Sequence, residues 1–581
     1  MRNKLKSVIA VLLASVLLCG GAMPTNDRKP GLTEKDKQVE SKAAESKTTE
    51  LEEGEIFRFD DLPYERPDVD TFCEKADELI DALEQGAGYR RVVALLNELF
   101  TMYYHAETMG TIADIRNCLD LSDKYYAAEY AACMSIRAEI GQIMEDVYFA
   151  CGASRYGPRL ERAFFGPGFL EEYCLESKKT VTDEYIALTE EENELIARYR
   201  SLQTDPVIAL NGREVPLMEA LYGAGSDREY EKICRAFYEK YNKAFGELYL
   251  EMLDVRKAQA EELGYGSYAG MMYDIGYDRD FSLEDGAAFL ESVRKWILPL
   301  YERYADDALE AELLEDYVSE KELRRALEAV AYGLGSEAAE AYDFMRRHEL
   351  YDLAMDDKKA EMSFQVYLDD YEAPYLFVNP YGDLSDYITV THEFGHYVEA
   401  YISYGVYRST DVSEIFSQAM QFLGLGELQD SLGRKKLGNL RLLNLYDILD
   451  SFVSQAAYAE FEKQAFELEE PNVERLNALY GEILAKYGME SQYDGMDWID
   501  ITHFFEQPFY VISYPISACC AMEIYEREQE ETGAGFDSYL RLVDAEKIGI
   551  VGAAEEAGLQ NPITDERVRE TAVFLEKQFA A

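Results

Sequence analysis

Two histidines four residues apart suggest a metal site. Residues 392–396 read His-Glu-Phe-Gly-His and hold two of the five histidines in a chain of 581 residues. In a helix, side chains at positions i and i+4 leave the same face, so His392 and His396 can bind one zinc ion. Glu393 is displaced by one residue and can reach a water molecule without binding the metal. The pattern predicts a site at which zinc and a carboxylate activate water.

The residues around this pentapeptide predict the helix that the site requires. Gly395 costs a helix about 1 kcal/mol relative to alanine. We therefore expect a neighbouring helix to pack closely against Gly395. The apolar and aromatic positions recur at spacings of three and four residues, and they are Tyr387, Val390, Phe394, Val398 and Tyr401.

A second helix supplies the candidate for a third ligand. Zinc in a catalytic site takes three protein ligands and keeps its fourth position open. The first helix is predicted to end near Gly405, and Ser409 is a residue type that begins helices. Glu414 falls in the first turn of the helix that follows, where the helix dipole favours a carboxylate. Glu399 and Asp411 are candidates for carboxylates that support the zinc histidines through hydrogen bonds.

Several segments together resemble one family of enzymes. The runs 386–400 and 411–418 resemble the zinc site of the thimet oligopeptidase and oligoendopeptidase F family of zinc peptidases. Residues 263–269, Leu-Gly-Tyr-Gly-Ser-Tyr-Ala, resemble a further segment of that family. His503 with the run 507–514 resembles its C-terminal cluster of histidine and tyrosine residues.

The resemblance implies a fold, a reaction and a set of site residues. It implies a mainly α-helical zincin-type metallopeptidase with a deep substrate channel, one zinc ion per chain, and internal cleavage of short unfolded peptides. Glu414 would complete the ligand set of His392 and His396, with Glu393 as the general base. The hydrogen-bond donors to the oxyanion would be His503, Tyr510 and Tyr514, and which tyrosine donates is left open.

The first residues read as an export signal. Residues 1–22 combine a basic start with an apolar run too short to cross a bilayer. Cys19 resembles the lipidated cysteine of bacterial lipoproteins, and the alternative is cleavage after Ala22 with free secretion. Residues 23–55 are polar and are predicted to form a disordered tether. We therefore expect an exported chain that is lipid-anchored to the outer face of a bacterial cell membrane, or otherwise secreted.

The remainder is predicted to form two helical units. A boundary near residue 205 separates an N-terminal helical domain, 56–205, from a catalytic domain, 206–581, because Asp205-Pro206 breaks the helix there. Residues 373–379, Ala-Pro-Tyr-Leu-Phe-Val-Asn, have strand character. We expect an edge strand beside the zinc helix, available to an extended substrate.

Charge and composition exclude some functions and leave others open. Asp and Glu total 113 against 57 Lys and Arg, a net charge of −56. This argues against nucleic-acid binding and against docking on anionic lipid. The expected partners are short peptides, with the membrane reached only through the N-terminal anchor and no oligomeric state predicted. Two alternatives remain: a zinc carboxypeptidase of similar helical fold, or a non-catalytic peptide-binding lipoprotein, which would have no use for Glu393.

Overall fold

The computed structural model describes most of the chain after the predicted tether. The predicted signal peptide 1–22, with Cys19 and Ala22, and the predicted tether 23–55 lie outside the described residues. Within the described residues the chain is predominantly helical with few strands, which confirms the mainly α fold class. The described residues are 56–580 except 166–168, 171–182, 205, 211, 306–312, 315 and 492.

The N-terminal helices share a core of their own. Their apolar faces meet around Phe72, Leu96 and Val147, which are almost completely buried. Amphipathic helices bury such a stripe against one another because it removes apolar surface from water. These helices are α1 Val69–Glu84, α2 Tyr89–Leu119, α3 Lys124–Ala153 and α4 Gly157–Leu160. The next helix, α5 Asp183–Gln203, instead buries Leu195 and Tyr199 in the larger core of the rest of the chain.

A short hairpin follows at the predicted break in the helical pattern. Strands β1, Val207–Leu210, and β2, Arg213–Pro216, pair antiparallel across a turn in which Gly212 has a φ of +78°. Glycine adopts this left-handed conformation without steric cost. The domain boundary at residue 205 itself remains a prediction. The next helices are α6 Leu217–Tyr222, α7 Asp227–Glu262, α8 Tyr268–Met271, α9 Leu283–Trp296, α10 Leu298–Tyr304, α11 Glu320–Leu334 and α12 Ser336–His348.

A three-stranded sheet precedes the histidine-bearing helix, and it corrects one expectation. Strands β3, Tyr351–Asp352, β4, Ser363–Leu368, and β5, Ala373–Val378, lie in the order β3-β5-β4. The predicted strand 373–379 is therefore the central strand and not an edge strand, so the edge assignment is wrong. All six residues of β5 are buried. An uninterrupted apolar run is typical of such a strand, buried on both faces, whereas an edge strand exposed on one face alternates.

The remaining helices include those that carry the predicted site residues. The first two, α13 and α14, pack against each other, and α14 also packs against α18. In the part of the chain that the structure describes, none of the helices has the length and apolar character needed to cross a bilayer. The helices are α13 Ser385–Ser403, α14 Thr410–Glu427, α15 Gln429–Glu467, α16 Val473–Lys486, α17 Thr502–Glu506, α18 Ser513–Glu530, α19 Ala534–Val543, α20 Ile550–Glu556 and α21 Asp565–Ala580.

Candidate active site

Helices α13 and α14 approach each other at Gly395. A Cβ atom at this position would lie 2.5 Å from the carbonyl oxygen of Phe416 and 2.8 Å from the Cα atom of Ser417. The close helix packing predicted from the glycine is therefore confirmed. Because Gly395 lies one residue before His396 and Phe416 two residues after Glu414, this contact sets the distance between the two predicted groups of ligands.

The structure brings the three predicted metal ligands together. The Nε2 atoms of His392 and His396 lie 3.5 and 4.0 Å from Oε2 of Glu414. One ligand atom from each residue lies within 4.8 Å of the others. Zinc–ligand distances of about 2.0–2.2 Å place tetrahedral ligand atoms about 3.3–3.6 Å apart. The donor set therefore fits zinc. The His392–Glu414 distance already lies in this range, and the His396–Glu414 distance exceeds it by a few tenths of an ångström.

Burial shifts the pKa values of the side chains on the histidine-bearing helix. Desolvation lowers the pKa of His396 to about 4 and lowers the pKa of His392 as well. Both imidazoles are therefore uncharged at neutral pH, as a metal ligand must be. Desolvation also raises the pKa of Glu393 well above its ordinary value, and the negative charge of Glu414 raises it further. The Glu393 carboxylate therefore has a strong affinity for a proton.

The predicted histidine and tyrosine cluster lies beside the ligands. The Tyr510 hydroxyl donates to Oε1 of Glu414 at 3.0 Å. Ring centroids of His503 and Tyr510 are 5.1 Å apart, and those of Tyr510 and Tyr514 are 5.3 Å apart. Burial raises the pKa of both phenols far above neutrality, so both carry their protons. All seven residues singled out from the sequence thus meet in one region.

Supporting contacts differ from the expectation. Ser417 donates to Oε2 of Glu414 at 3.1 Å. The two carboxylates proposed as supports for the histidines bind arginines instead. Glu399 pairs with Arg408, and Asp411 pairs with a buried arginine on a preceding loop. Hydrogen bonds to metal ligands fix their orientation, so Ser417 supports the predicted ligand Glu414.

Sequence reasoning missed three buried charged residues behind the histidine and tyrosine cluster. Arg256 donates to the carbonyl oxygens of Phe504 and Phe505, while Arg279 and Glu462 contact the backbone of Phe509. The available signal was a charged residue within an apolar pattern: Glu462 follows Phe461 on the buried face of α15. Charged residues are almost never fully buried unless they are paired, so such positions indicate a specific contact.

The close contact at Gly395 gives a first prediction. We expect Gly395→Ala to destabilise the fold by about 1–3 kcal/mol, because the added methyl group overpacks the interface between α13 and α14. Zinc affinity should fall in the same variant, since Glu414 moves away from the histidines. Urea unfolding and a zinc titration measure the two effects.

A matched control at another glycine should change the stability of the fold in the opposite direction. Gly438 lies within α15 with no neighbouring atom in the path of a Cβ atom. Gly438→Ala should stabilise the fold by about 0.4–1 kcal/mol, because alanine has less conformational entropy to lose on folding. Equal effects of the two substitutions would show that the approach of the helices at Gly395 is not tight.

Comparisons with known proteins agree with this site. The model of the peptidase M3 N-terminal domain matches residues 59–177, and the model of peptidase family M3 matches residues 345–542. The second match includes the pentapeptide, the Glu414 helix and the tyrosine cluster. Together the two models match more than half of the chain.

Two curated relatives resemble part of this chain in sequence. The chain is 28% identical over 190 residues to an oligoendopeptidase F homolog of Borreliella burgdorferi, covering 29% of this chain and 31% of that protein. It is 30% identical over 192 residues to oligopeptidase PepF of Bacillus subtilis, covering 30% and 28%. The matched region therefore spans less than a third of these curated relatives.

A solved structure extends the likeness in fold to almost the whole described chain. The structure of PZ peptidase A with an inhibitor is 21% identical, has a TM-score of 0.75, and is matched over 90% of this chain and 99% of that one. At this identity the likeness speaks for the fold. The sequence matches, the fold and the convergent histidines and glutamate agree on one conclusion: the chain belongs to peptidase family M3, the metalloendopeptidase family of oligoendopeptidase F.

Proposed function

We propose that this chain is a zinc-dependent endopeptidase that hydrolyses internal bonds of short unfolded peptides outside the cytoplasm. One observation carries the proposal: His392, His396 and Glu414 converge, with Glu393 next to the first histidine on the same helix. Three ligands and an open fourth position are typical of catalytic zinc sites. A structural zinc site would have a fourth protein ligand.

The chain's own residues would divide the reaction between them. When bound, zinc supplies Lewis-acid chemistry, which polarises the scissile carbonyl and acidifies a water molecule. Glu393 accepts the proton of the attacking water and then donates it to the leaving amine. Glu393 is 7% exposed, so bulk water has little access to the carboxylate that holds this proton.

The tyrosine cluster supports the proposed hydrolysis, because it can supply hydrogen-bond donors to the oxyanion. As the scissile carbonyl becomes tetrahedral, its oxygen gains negative charge, and preorganised hydrogen-bond donors stabilise that charge. Tyr510 and Tyr514 keep their protons at neutral pH and lie beside His503. These three side chains come from α17, α18 and the loop between them, so one continuous segment of chain presents the donors.

Two tyrosine variants separate the roles of these donors. We expect Tyr514→Phe to lower kcat by about 100- to 1,000-fold with zinc affinity unchanged, as for the loss of one oxyanion donor. Tyr510→Phe should lower kcat and also weaken zinc binding, because its hydroxyl holds Oε1 of Glu414. Steady-state kinetics and zinc titration measure both. Unchanged kcat in both variants would show that neither tyrosine contributes to the reaction.

Peptides with blocked ends distinguish this proposal from the zinc carboxypeptidase. A carboxypeptidase must bind the free terminal carboxylate of its substrate, whereas an endopeptidase needs neither end. We expect peptides of about ten residues, acetylated and amidated, to be cut at an internal bond that mass spectrometry identifies. A natively folded protein should resist cleavage. Trimming of free C-termini alone would establish the carboxypeptidase, and zinc binding without any cleavage would establish a peptide-binding lipoprotein.

We propose further that the chain is exported and lipid-anchored through Cys19. The basic start and short apolar run of residues 1–22 support this. Cys19→Ala should move the chain from the membrane fraction to the soluble fraction of the producing bacterium. Cys73→Ala, at an exposed cysteine of the folded body, should not. A wild-type chain found entirely free in the medium would instead support cleavage after Ala22.

A further inference from the structure

The segment that carries the predicted donors contains one residue in an unfavourable conformation. We call residues 503–514 the donor arm, since it bears His503, Tyr510 and Tyr514. Within the donor arm, Phe509 has a φ of +66°. This left-handed conformation is unfavourable for a residue other than glycine and persists only where the surroundings hold it. Phe509 directly precedes Tyr510, so its conformation decides where the Tyr510 side chain starts.

Two buried polar side chains, a carboxyl group and a guanidinium, hold both backbone polar groups of Phe509. Its N–H donates to Oε2 of Glu462 at 2.8 Å, and its carbonyl oxygen accepts from Nη2 of Arg279 at 2.9 Å. Glu462 lies on α15 and is completely buried. The Arg279 side chain is also completely buried. Neither residue belongs to the donor arm, so two separate parts of the fold fix the two peptide groups that flank the Cα atom of Phe509.

Arg279 also reaches the helix that bears Glu414. Its Nε donates to Oδ2 of Asp411 at 3.1 Å, and Asp411 lies in the first turn of α14, one helical turn before Glu414. The same guanidinium donates to the Ser513 hydroxyl at 3.1 Å. One buried cation therefore binds the donor arm and the metal-ligand helix at once, and so relates Tyr510 to Glu414 in space.

A purely structural role would not require these buried polar groups, among them the ion pair between Arg279 and Asp411. Replacing a buried ion pair with apolar residues of similar volume is often neutral or stabilising for a fold. Here a buried carboxyl group and a buried guanidinium meet at a strained residue, next to a hydroxyl that donates to a predicted metal ligand. We propose that Glu462 and Arg279 are positioning residues for peptide hydrolysis: by holding Phe509 in its left-handed conformation, they keep the Tyr510 hydroxyl on Glu414. This inference builds on the proposed function.

Two substitutions at Glu462 distinguish the loss of its hydrogen-bond acceptor from a change in side-chain volume. Burial raises the pKa of Glu462 to about 8, so its carboxyl is mostly protonated at neutral pH. Glu462→Gln keeps an oxygen acceptor for the Phe509 N–H and should retain kcat within about twofold. Glu462→Leu keeps similar volume and removes the acceptor. We expect it to lower kcat about 10- to 100-fold, since displacement of a catalytic group by about 1 Å costs this much.

A double-mutant cycle shows whether Glu462 acts through Tyr510. We compare wild type, Glu462→Leu, Tyr510→Phe and the double variant by kcat and by zinc affinity. If the proposal is correct, Glu462→Leu causes less than about a threefold further loss of kcat once the Tyr510 hydroxyl is absent. The loss of zinc affinity should be non-additive in the same way. A merely structural effect would multiply with that of Tyr510→Phe.

A matched control lies elsewhere in the fold. Glu523, on α18, is also buried and accepts from a backbone N–H, that of Gln560, at 2.9 Å. Glu523→Leu should destabilise the fold comparably, as measured by urea unfolding, with kcat and zinc affinity unchanged in the folded protein. Equal loss of kcat in the Glu462→Leu and Glu523→Leu variants would overturn the proposal, as would multiplicative effects in the cycle. A wild type that binds zinc and cleaves nothing would refute the proposed function, while the zinc-affinity cycle still decides the positioning.

Discussion

Glu393→Gln is expected to lower kcat by about 100- to 10,000-fold, the contribution of a positioned general base. The amide has almost the same shape as the carboxylate, so packing on α13 should be unchanged. It cannot accept a proton from water or return one to the leaving amine. Because Glu393 is not one of the converging ligands, zinc should bind with unchanged affinity.

Metal analysis and single-turnover kinetics on the same preparation check this expectation. The informative result is one zinc ion per chain with hydrolysis almost abolished. Glu399→Gln serves as a control on the same helix, since Glu399 pairs with Arg408 and not with the site. A Glu393→Gln chain that retained most of its kcat would mean that another group accepts the proton.

Glu414→Gln has the second of the two largest expected effects, on metal binding. Loss of a hydrogen bond that supports a ligand costs about 10- to 100-fold in metal affinity. Loss of a ligand carboxylate should cost more than this. The amide oxygen can still accept from one of the two hydroxyls, those of Tyr510 and Ser417, that contact the carboxylate. The amide NH2 group can donate to the other hydroxyl oxygen, so the fold should persist.

Zinc titration of the metal-free variant measures this effect, with urea unfolding as the check on folding. Activity should return in part at high zinc concentration, because His392 and His396 remain. Glu523→Gln is a suitable control at a buried carboxylate away from the site. Wild-type zinc affinity in Glu414→Gln would show that the third ligand is a different residue.

The chemistry of the site was predictable because it follows local periodicity. His392 and His396 share a face in any α-helix, and Gly395 indicates a close neighbour before the neighbour is known. The role of Glu414 was predicted because residues that begin a helix precede it in the sequence. In the structure its Oε2 atom lies 3.5 Å from Nε2 of His392. These inferences need only the positions within two adjacent helices.

Contacts between distant segments were not predictable in the same way. The strand at Ala373–Val378 was recognised, but its place in the sheet depends on β3 and β4, which are short and weakly patterned. The edge assignment failed for this reason. Likewise, Arg279 and Asp411 are far apart in sequence, and neither residue's neighbours indicate the other. Their pairing requires α14 to pack against the loop after α8, which a single sequence does not encode locally.

Zinc titration of the metal-free wild-type chain, with cleavage of a peptide blocked at both ends followed at each addition, tests the central claim most directly. The account predicts no cleavage without metal, a linear rise with added zinc, and a plateau at one equivalent per chain. Product masses should show an internal cut. Cleavage by the metal-free chain, or zinc binding at one equivalent without any cleavage, would contradict the account.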